Sequence, residues 1–589
     1  MLVLLLEDDR EEDQEALPAP EALGEPVVAL FDGLPLQAHR KLEGRLVVDD
    51  PDDFEQDYPA NMRRHGTSMA SLIVHGDLRM REVALPRPLY VRPILRPDLR
   101  TWRRSDETVL EDTLVVDLLH RAVRRLFEGD RDEPAAAPEV AVINLSIEIR
   151  DRPFEQALSP LARLLDWLAW QYQVLFVVSA GNHDGRIELA MPRERLPSLA
   201  PADFQRHVIR AVAADARHRR LLSPAEALNA LTTAAVHADA STGPPPPRWI
   251  DPYEAQELPS PINTQSMEYH RAIKPDVLAP NGRVVVQEPY STTERVTLDI
   301  YAGSLAPGQL VAAPGLTPGD RQAAWHSRGT SNAAALVSRA AGFLNEVLEE
   351  LRGDPGGDLI ATVPRAVWLK ALIAHGADWG HAGSTLEEAL CDAENRPRFR
   401  EYVTRLLGYS TVDTDRVQEC TEHRATAISG GALKQDESHV HRFPLPPSLN
   451  ERRGHRRLAI TLVWLTPVNP RHQSWRRADL WFHPDPHRPP KSREPFTPLR
   501  LSRQQADARA TQRGTLQHEI LEGEQAAAYE DGENLEIQVS YRADAGALEE
   551  DVPYALVTTL EVAEEVGVDI YEEVCVAVHA AQVRVSPIT

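Results

Sequence analysis

A turn of glycine, threonine and serine opens directly into a long helical pattern past the middle of the chain, at residues 328–331. Apolar residues then recur at three- and four-residue spacing, namely Ala333, Leu336, Val337, Ala340, Phe343, Leu344, Val347, Leu348 and Leu351. This spacing predicts one helix whose buried face fixes it in a core. Ser331 is therefore predicted at a rigid helix start, where free backbone N–H groups and the helix dipole favour negative charge. Taken alone, such a serine is most simply an N-cap.

Three polar residues upstream give this serine a second interpretation. Asp32 ends the apolar run 27–31, as expected at the C-terminal end of a buried parallel strand. His65 precedes a helical pattern, and Asn182 follows the apolar run 176–178. A serine nucleophile needs an imidazole to take its proton and a carboxylate to orient that imidazole, while an amide can donate to an oxyanion. We therefore predict Asp32, His65 and Ser331 as catalytic residues, with Asn182 and Ser331 forming the oxyanion hole.

The chain order Asp, His, Ser resembles that of the subtilisin-like serine proteases, the subtilases. Four segments are also similar to the family, at residues 65–67, 142–146, 274–280 and 329–331, and the resemblance extends over about residues 26–415. It implies an α/β fold in which helices flank a parallel sheet, and a serine endopeptidase that acts on a protein or peptide substrate. It further implies a substrate groove lined by Leu145, Ser146, Ile147, Glu148, Ala180 and Gly181.

The chain departs from the family pattern at three positions near these residues. Glu148 stands where the family usually has glycine, and Asn332 and Ala335 stand where methionine and proline are more common. A carboxylate at the groove could favour a basic residue at the cleavage position or narrow the groove. A solvent-facing glutamate at a strand end explains Glu148 equally well. Two alternatives to the endopeptidase therefore stay open: an inactive or latent subtilase that binds peptides, and a serine esterase or acyltransferase.

Composition excludes several other classes of protein. The 589 residues are 42% hydrophobic and carry a formal net charge of −25, which indicates an acidic globular protein and disfavours nucleic-acid binding. No apolar stretch approaches the roughly 20 residues that a membrane span needs. The run 2–6 lacks a basic leader and a small-residue cleavage site, so we expect no signal peptide. Cys391, Cys420 and Cys575 are too scattered for a disulfide framework or zinc site, which favours the cytoplasm.

Three regions are predicted along the chain. Residues 1–24 form an acidic N-terminal lead, residues 25–425 a peptidase domain with insertions, and residues 426–589 a jelly-roll-like β-sandwich. Within the peptidase domain we predict strands at 88–95 and 207–214 and helices at 110–127, 161–170 and 363–374. The sandwich rests on short β-rich runs at 458–464, 478–482, 535–541, 554–560 and 574–578. The proline-rich insertion 241–261 should lack regular structure, and it is either a lid or an inert loop.

Metal and partner predictions rest on weaker patterns. No cofactor is expected to be required. Many subtilases bind calcium, and the acidic cluster 49–57 could hold a structural calcium ion, although a solvated loop is the favoured interpretation. His439 and His441 would share a strand face, but they lack a nearby third ligand, so ordinary histidines are favoured there and at His483. Some cytoplasmic subtilases are paired with ATPases, so the resemblance also implies a regulatory partner of that kind.

Overall fold

A computed structural model describes residues 22–97, 107–109, 113–130, 133–254, 257–267, 269–290, 294–354, 356–391, 399–418, 420–450, 452–470, 474–483, 502–503, 508–526, 532, 534–544, 546–564 and 567–583. Most of the predicted N-terminal lead, residues 1–21, lies outside this described part. Within it, no helix combines the length and the apolar character that crossing a bilayer requires.

The first part of the chain alternates strands and helices. Its strands are β1 Val28–Gly33, β2 Leu46–Val48, β3 Leu89–Pro97, β4 Glu107–Thr108, β5 Val142–Leu145, β6 Ile149–Pro153, β7 Leu175–Ser179, β8 Ile187–Pro192, β9 Leu222–Ser223, β10 Leu231–Val236, β11 Ser266–Met267, β12 Ile273–Lys274, β13 Val277–Pro280, β14 Val286–Gln287, β15 Arg295–Ile300, β16 Gln309–Ala312 and β17 Ala324–Ser327. Its helices are α1 His65–His75, α2 Val115–Phe127, α3 Pro160–Tyr172, α4 Pro201–Ala214, α5 Thr330–Leu351, α6 Asp358–Thr362, α7 Arg365–His375, α8 Gly380–Leu390, α9 Phe399–Leu407 and α10 Asp415–Gln418.

A parallel sheet forms the centre of this part. Its strand order is β13-β10-β7-β5-β1-β3-β2, and β4 adds an antiparallel pair at the end of β3. Because side chains alternate across a strand, Val142 of β5 faces one side of the sheet and Ile143 the other. Each belongs to a different apolar cluster. The sheet is therefore buried on both faces, as its continuous apolar runs predict.

Helices cover both faces of this sheet. The cluster that contains Ile143 also holds Leu119 of α2 and Leu165 of α3. The opposite cluster holds Val337 of α5 and Trp368 of α7. An α/β architecture results, in which the C-terminal ends of the parallel strands meet the start of α5 at one edge.

Several predicted elements are confirmed, and one is wrong. The strand at 88–95 and the helices at 161–170 and 363–374 correspond to β3, α3 and α7, and the helix at 110–127 begins later, as α2. The predicted strand at 207–214 lies instead inside helix α4. Phe204, Val208 and Val212 are spaced four residues apart and are all buried, which is the pattern of a one-sided helix. In the described part of the insertion 241–261 there is no helix or strand, as predicted.

The second part of the chain is mostly antiparallel. Its strands are β18 Arg424–Leu433, β19 Ser438–Pro444, β20 Gly454–Trp464, β21 Ala478–His483, β22 Ser502–Arg503, β23 Leu516–Ala526, β24 Asn534–Ala543 and β25 Val552–Val562, and its helices are α11 Ala508–Thr511 and α12 Ile570–Val583. One sheet has the order β18-β25-β20-β23-β22, and a smaller one has the order β19-β24-β21. The apolar side chains of both sheets join in one cluster, which includes Leu458, Ile460 and Leu462 on β20 and Leu480 on β21.

The larger antiparallel sheet is also buried on its other face. Val463 of β20 and Val557 of β25 belong to the cluster that contains α7, so the two parts of the chain share a core. Polar contacts cross the same boundary, because His375 at the end of α7 bonds to the Thr461 and Thr559 hydroxyls at 2.7 Å each. The division at residue 425 stays a prediction about independent folding, and it falls within β18.

One predicted strand of the second part is wrong. Residues 574–578 lie in helix α12, where Ile570 and Val574 are buried one turn apart while Val576 is 63% exposed. The four-residue spacing of the buried side chains is that of a helix. The other four predicted runs are strands, namely β20, β21, β24 and β25.

The acidic cluster 49–57 makes contacts with arginines. Asp49 accepts from Arg125 at 2.8 Å, and Asp52 contacts the buried Arg92. No group of three or more metal-ligating side chains occurs in the part of the chain that the structure describes. Arg125 and Arg92 thus bind two of the carboxylates that a calcium ion would need. Calcium binding stays a prediction.

The two histidines of β19 share a protein partner. His439 and His441 both hydrogen-bond to the Tyr554 hydroxyl, at 2.8 and 2.7 Å. Burial, together with His439, lowers the pKa of His441 to about 4. An ordinary packing role, as favoured from the sequence, accounts for these contacts.

Candidate active site

Four of the predicted residues lie at the ends of core elements. Asp32 is near the end of β1, and Asn182 follows β7. His65 is the first residue of α1, and Ser331 is the second residue of α5. Because β1 and β7 belong to the same parallel sheet, their C-terminal ends open on the same edge. The sequence therefore placed these residues at the correct ends of their elements.

Asp32 and His65 form a direct pair. The Nδ1 atom of His65 lies 2.7 Å from Oδ1 of Asp32. The Asp32 side chain is fully buried, whereas the His65 side chain is 35% exposed. The backbone N–H of Gly33 donates to the same Asp32 oxygen at 2.7 Å. A fixed carboxylate thus holds Nδ1 of the imidazole and leaves Nε2 as the nitrogen that can exchange a proton.

A second carboxylate, Glu107, supports the start of the same helix. It accepts the backbone N–H of His65 at 2.5 Å and that of Arg64 at 3.1 Å. The buried Tyr58 hydroxyl donates to its other oxygen. Negative charge at a helix N-terminus stabilises the helix, so Glu107 fixes the turn that carries His65. No sequence pattern singles out Glu107 or Tyr58, because Glu107 begins the two-residue strand β4 and Tyr58 lies outside the helices and strands, and only the fold brings them together.

The carboxylates around His65 change its protonation. Burial lowers the pKa of His65, but Asp32, Glu107 and Glu148 together outweigh burial and raise it to about 9. Burial also raises the pKa of Glu107. The imidazole of the free protein is therefore mostly protonated at neutral pH.

Ser331 lies at the start of helix α5, and its hydroxyl is bonded to a backbone carbonyl. Gly329, at φ 149°, precedes α5 in a backbone conformation that favours glycine. The Ser331 hydroxyl lies 3.5 Å from the carbonyl oxygen of Ser146, to which it donates. Among the described residues the structure has no hydrogen bond between Ser331 and His65. In apo enzymes such bonds are often long or misaligned, so this geometry does not exclude the pair.

The Asn182 side chain is oriented by the start of α5. Its Oδ1 accepts the backbone N–H of Thr330 at 2.9 Å. The Thr330 hydroxyl in turn accepts the N–H of Gly181 at 3.2 Å. With the amide oxygen held by the helix, the amide Nδ2 is left to donate elsewhere.

The group that receives this donation is Glu148. Its Oε2 accepts from the backbone N–H of Asn182 at 2.8 Å and from Nδ2 of Asn182 at 3.3 Å. Its Oε1 accepts from Arg150 at 3.1 Å, and Arg150 also bonds Asp184 at 3.0 Å. The Glu148 side chain is only 15% exposed. The interpretation of Glu148 as a freely solvated glutamate is therefore wrong.

The other residues predicted to line the substrate groove differ in whether their backbone or their side chain could contact a peptide. The side chains of Leu145, Ile147 and Ala180 are buried in the apolar cluster below, so their backbones alone could meet a peptide. Ser146 presents its carbonyl to Ser331, while its hydroxyl donates to Asn144 at 2.9 Å. Gly181 has φ 105°, and a β-carbon there would stand 2.9 Å from Leu222, so the position needs glycine. Substrate contact by these residues stays a prediction.

Comparison with solved structures finds peptide-processing enzymes at low identity. The prenylagaramide maturation protease PagA is 16% identical, with 66% of this chain and 90% of that chain covered and a TM-score of 0.36. The patellamide maturation protease PatA is 17% identical, with 66% and 93% covered and a TM-score of 0.33. A PatG macrocyclase in complex with peptide is 14% identical, with 68% and 94% covered and a TM-score of 0.35. No curated protein matches the chain.

A family model gives the decisive match. The model of the subtilase family matches residues 27–409, which is more than half of the chain. That span contains Asp32, His65, Asn182 and Ser331. The resemblance predicted from the sequence is confirmed, and so are the α/β fold with a parallel sheet and the enzyme class. The chain belongs to the subtilase family, the serine endopeptidases of the subtilisin type.

Proposed function

We propose that Ser331 is the nucleophile of this endopeptidase, that His65 is its general base and that Asp32 orients His65. The Ser331 hydroxyl attacks the scissile carbonyl, and His65 takes its proton and later gives it to the leaving amine. The oxyanion that forms accepts hydrogen bonds from Nδ2 of Asn182 and from the backbone N–H of Ser331. The N–H of Ser331 is suited to this role because the first N–H groups of a helix have no intrahelical partner.

The observation that carries this proposal is the Asp32–His65 pair at the same sheet edge as the Ser331 helix. Asp32 is fully buried and lies 2.7 Å from His65, whose side chain is partly exposed. A hydrophobic side chain could fill the buried position, so packing alone does not explain a carboxylate there. The carboxylate selects the imidazole tautomer that can accept a proton from serine. In the proposed reaction the Ser331 hydroxyl turns from the Ser146 carbonyl and donates to His65.

The direct test removes the hydroxyl. We expect Ser331→Ala to lose peptide cleavage, by a factor on the order of 10⁶ in kcat if the residue acts as the family's nucleophile does. Ser384→Ala is the matched control, because Ser384 is an exposed helical serine on α8. Cleavage of fluorogenic peptides and far-UV circular dichroism would be measured together. Unchanged cleavage by a folded Ser331→Ala protein would contradict the assignment.

One observation favours the latent form as a second candidate. Asn182 already donates to Glu148, and Ser331 donates to Ser146, so neither group is set for attack. A latent subtilase would bind peptide without cutting it. Labelling with a fluorophosphonate distinguishes an active serine from an inactive one, and matched peptide and ester substrates distinguish an endopeptidase from an esterase or acyltransferase.

We propose that the second part of the chain is a β-sandwich that supports stability or substrate placement and carries no catalytic group. Its two antiparallel sheets share an apolar core, which supports the sandwich architecture. We also propose a cytoplasmic enzyme with a regulatory partner such as an ATPase. The three cysteines are free thiols, which supports a reducing compartment.

A further inference from the structure

The Glu148 carboxylate lies where the proposed reaction needs an unoccupied hydrogen-bond donor. Its Oε2 is 3.3 Å from Nδ2 of Asn182, the atom that would stabilise the oxyanion. A carboxylate oxygen carries the kind of negative charge that the oxyanion develops. Glu148 therefore competes directly with the transition state, and this argument rests on the proposed function of Asn182.

Loss of this donor would affect the chemical step. Removing one oxyanion donor generally costs about 10²–10³ in kcat. While Glu148 holds Asn182, one of the two proposed oxyanion donors is occupied, and the backbone N–H of Ser331 is the other. Efficient cleavage therefore requires that Glu148 leave Asn182 when substrate is bound.

The two oxygens of Glu148 have unlike partners. Oε1 pairs with the Arg150 guanidinium at 3.1 Å, whereas Oε2 has the neutral backbone and side-chain N–H groups of Asn182. The bonds from Asn182 already have an ionised acceptor, but a cationic donor adds a Coulomb attraction to the carboxylate that a neutral N–H lacks. A second cation would therefore displace Asn182 from Oε2 more readily than a neutral group would. Arg150 is 60% exposed and also pairs with Asp184, so it is not confined to Glu148.

The substrate itself can supply that cation. The scissile carbonyl belongs to the residue before the cleaved bond, so the side chain of that residue leaves the backbone next to Asn182. Asp184, 78% exposed, adds a second carboxylate near Glu148, and because Arg150 pairs with both, the three side chains keep a net negative charge. A site with carboxylates on its rim attracts cationic side chains and disfavours anionic ones.

We propose that the enzyme prefers peptides with arginine or lysine before the scissile bond, and that this cation draws Glu148 away from Asn182 and frees the oxyanion hole. Glu148 is then a specificity-determining residue that couples substrate choice to the chemical step. A neutral side chain at the same position leaves Glu148 on Asn182, and the peptide is bound but cut slowly.

The test compares two fluorogenic peptides that differ only in arginine or citrulline before the scissile bond. Citrulline has nearly the same shape as arginine without its charge. With the full-length protein we expect kcat for the arginine peptide to exceed that for the citrulline peptide by on the order of 10², the worth of one oxyanion donor. Equal kcat values would overturn the proposal. So would a preference confined to KM, because it would show charge attraction without release of Asn182.

Variants at position 148 identify the cause. In Glu148→Gln and Glu148→Gly we expect the ratio of the two kcat values to fall toward one, chiefly because the citrulline peptide is cut faster. Glu188→Gln is the matched control, since Glu188 is 62% exposed on β8 and should leave the ratio unchanged. A ratio that persists in both Glu148 variants would overturn the proposal.

Labelling with a fluorophosphonate separates this proposal from the one on which it rests. If the wild-type protein takes up the label at Ser331 but shows no arginine preference, the specificity proposal fails and the nucleophile assignment stands. If the wild-type protein neither takes up the label nor cuts either peptide, the proposed function fails and the specificity proposal fails with it.

Discussion

The two sides of the candidate site differ in how completely they are assembled. On one side, Asp32 and His65 are already bonded at 2.7 Å. On the other side, Asn182 donates to Glu148, and Ser331 donates to Ser146. The elements of the fold position all four groups, and in the proposed mechanism the Glu148 carboxylate decides whether Asn182 is available for chemistry. The placement of a residue by the fold and the availability of its hydrogen-bonding groups are thus separate properties of this site.

The assembled side should show the larger loss when it is damaged. Asp32→Asn keeps the shape of the pair but favours the wrong imidazole tautomer, so we expect kcat to fall by about 10⁴. The loss should be the same for arginine and citrulline peptides, since Asp32 does not contact Glu148. Steady-state kinetics on both peptides would measure it. A loss that depends on the peptide would mean that the two sides are coupled more tightly than the contacts indicate.

Damage to the side that contains Asn182 should cause a smaller loss of kcat, and the loss should depend on the substrate. With the arginine peptide, Asn182→Ala should lower kcat by about 10²–10³ with little change in KM. With the citrulline peptide the loss should be much smaller, because Glu148 already withholds the amide. A double-mutant cycle with Glu148→Gln measures this dependence. Equal losses on both peptides would show that Glu148 does not restrict Asn182.

The pH dependence of kcat/KM tests the side of the site that contains His65. Because the pKa of His65 is raised to about 9, the neutral imidazole that accepts a proton is present mainly above that pH. We therefore expect kcat/KM to rise with pH and to level off above about pH 9. Glu107→Gln removes negative charge that favours the imidazolium, so its midpoint should move to lower pH.

The control for this pH profile is Glu188→Gln, which removes an exposed carboxylate and should leave the midpoint unchanged. A Glu107→Gln profile identical to that of the wild-type protein would contradict a role for Glu107 in setting the charge of His65.

The smallest expected effect on catalysis comes from the core that joins the two parts of the chain, where the change is in stability. Leu465 is fully buried in the cluster that contains α7, and Leu480 in the cluster between the antiparallel sheets. Each leucine-to-alanine change should cost about 2–5 kcal/mol of unfolding free energy. Because the core is shared, denaturant unfolding followed by circular dichroism and by peptide cleavage should give coincident transitions. Separate transitions would instead support an independent domain from residue 426.

The sequence predicts the positions of the proposed catalytic groups because each lies at the end of a helix or strand. Asp32 follows an apolar run, and His65 and Ser331 begin helical patterns, so strand and helix signals were sufficient. The prediction of a strand at 207–214 is wrong because a short apolar stretch does not by itself distinguish a strand from a buried helix segment. The deciding residue, Phe204, lies outside that run.

Contacts between segments that are distant in sequence could not be predicted from strand and helix patterns. Glu107 meets His65 across 42 residues, and Glu148 meets Asn182 across 34. Neither pair has a periodic or motif signal, because the fold alone sets the approach of the side chains. The departure at Glu148 did mark the position as unusual, but its contact with Asn182 required coordinates. The core shared by α7 and β20 could not be predicted either, because the fold alone brings these elements together.

The most direct test of the account is to locate the fluorophosphonate adduct by mass spectrometry and to follow its rate of formation. We predict a single adduct, on Ser331, that is absent in Ser331→Ala, present in Ser384→Ala and formed faster in Glu148→Gly than in the wild-type protein. An adduct on another residue would contradict the nucleophile assignment. A Glu148→Gly protein that reacts no faster than the wild-type protein would contradict the claim that Glu148 occupies the oxyanion hole.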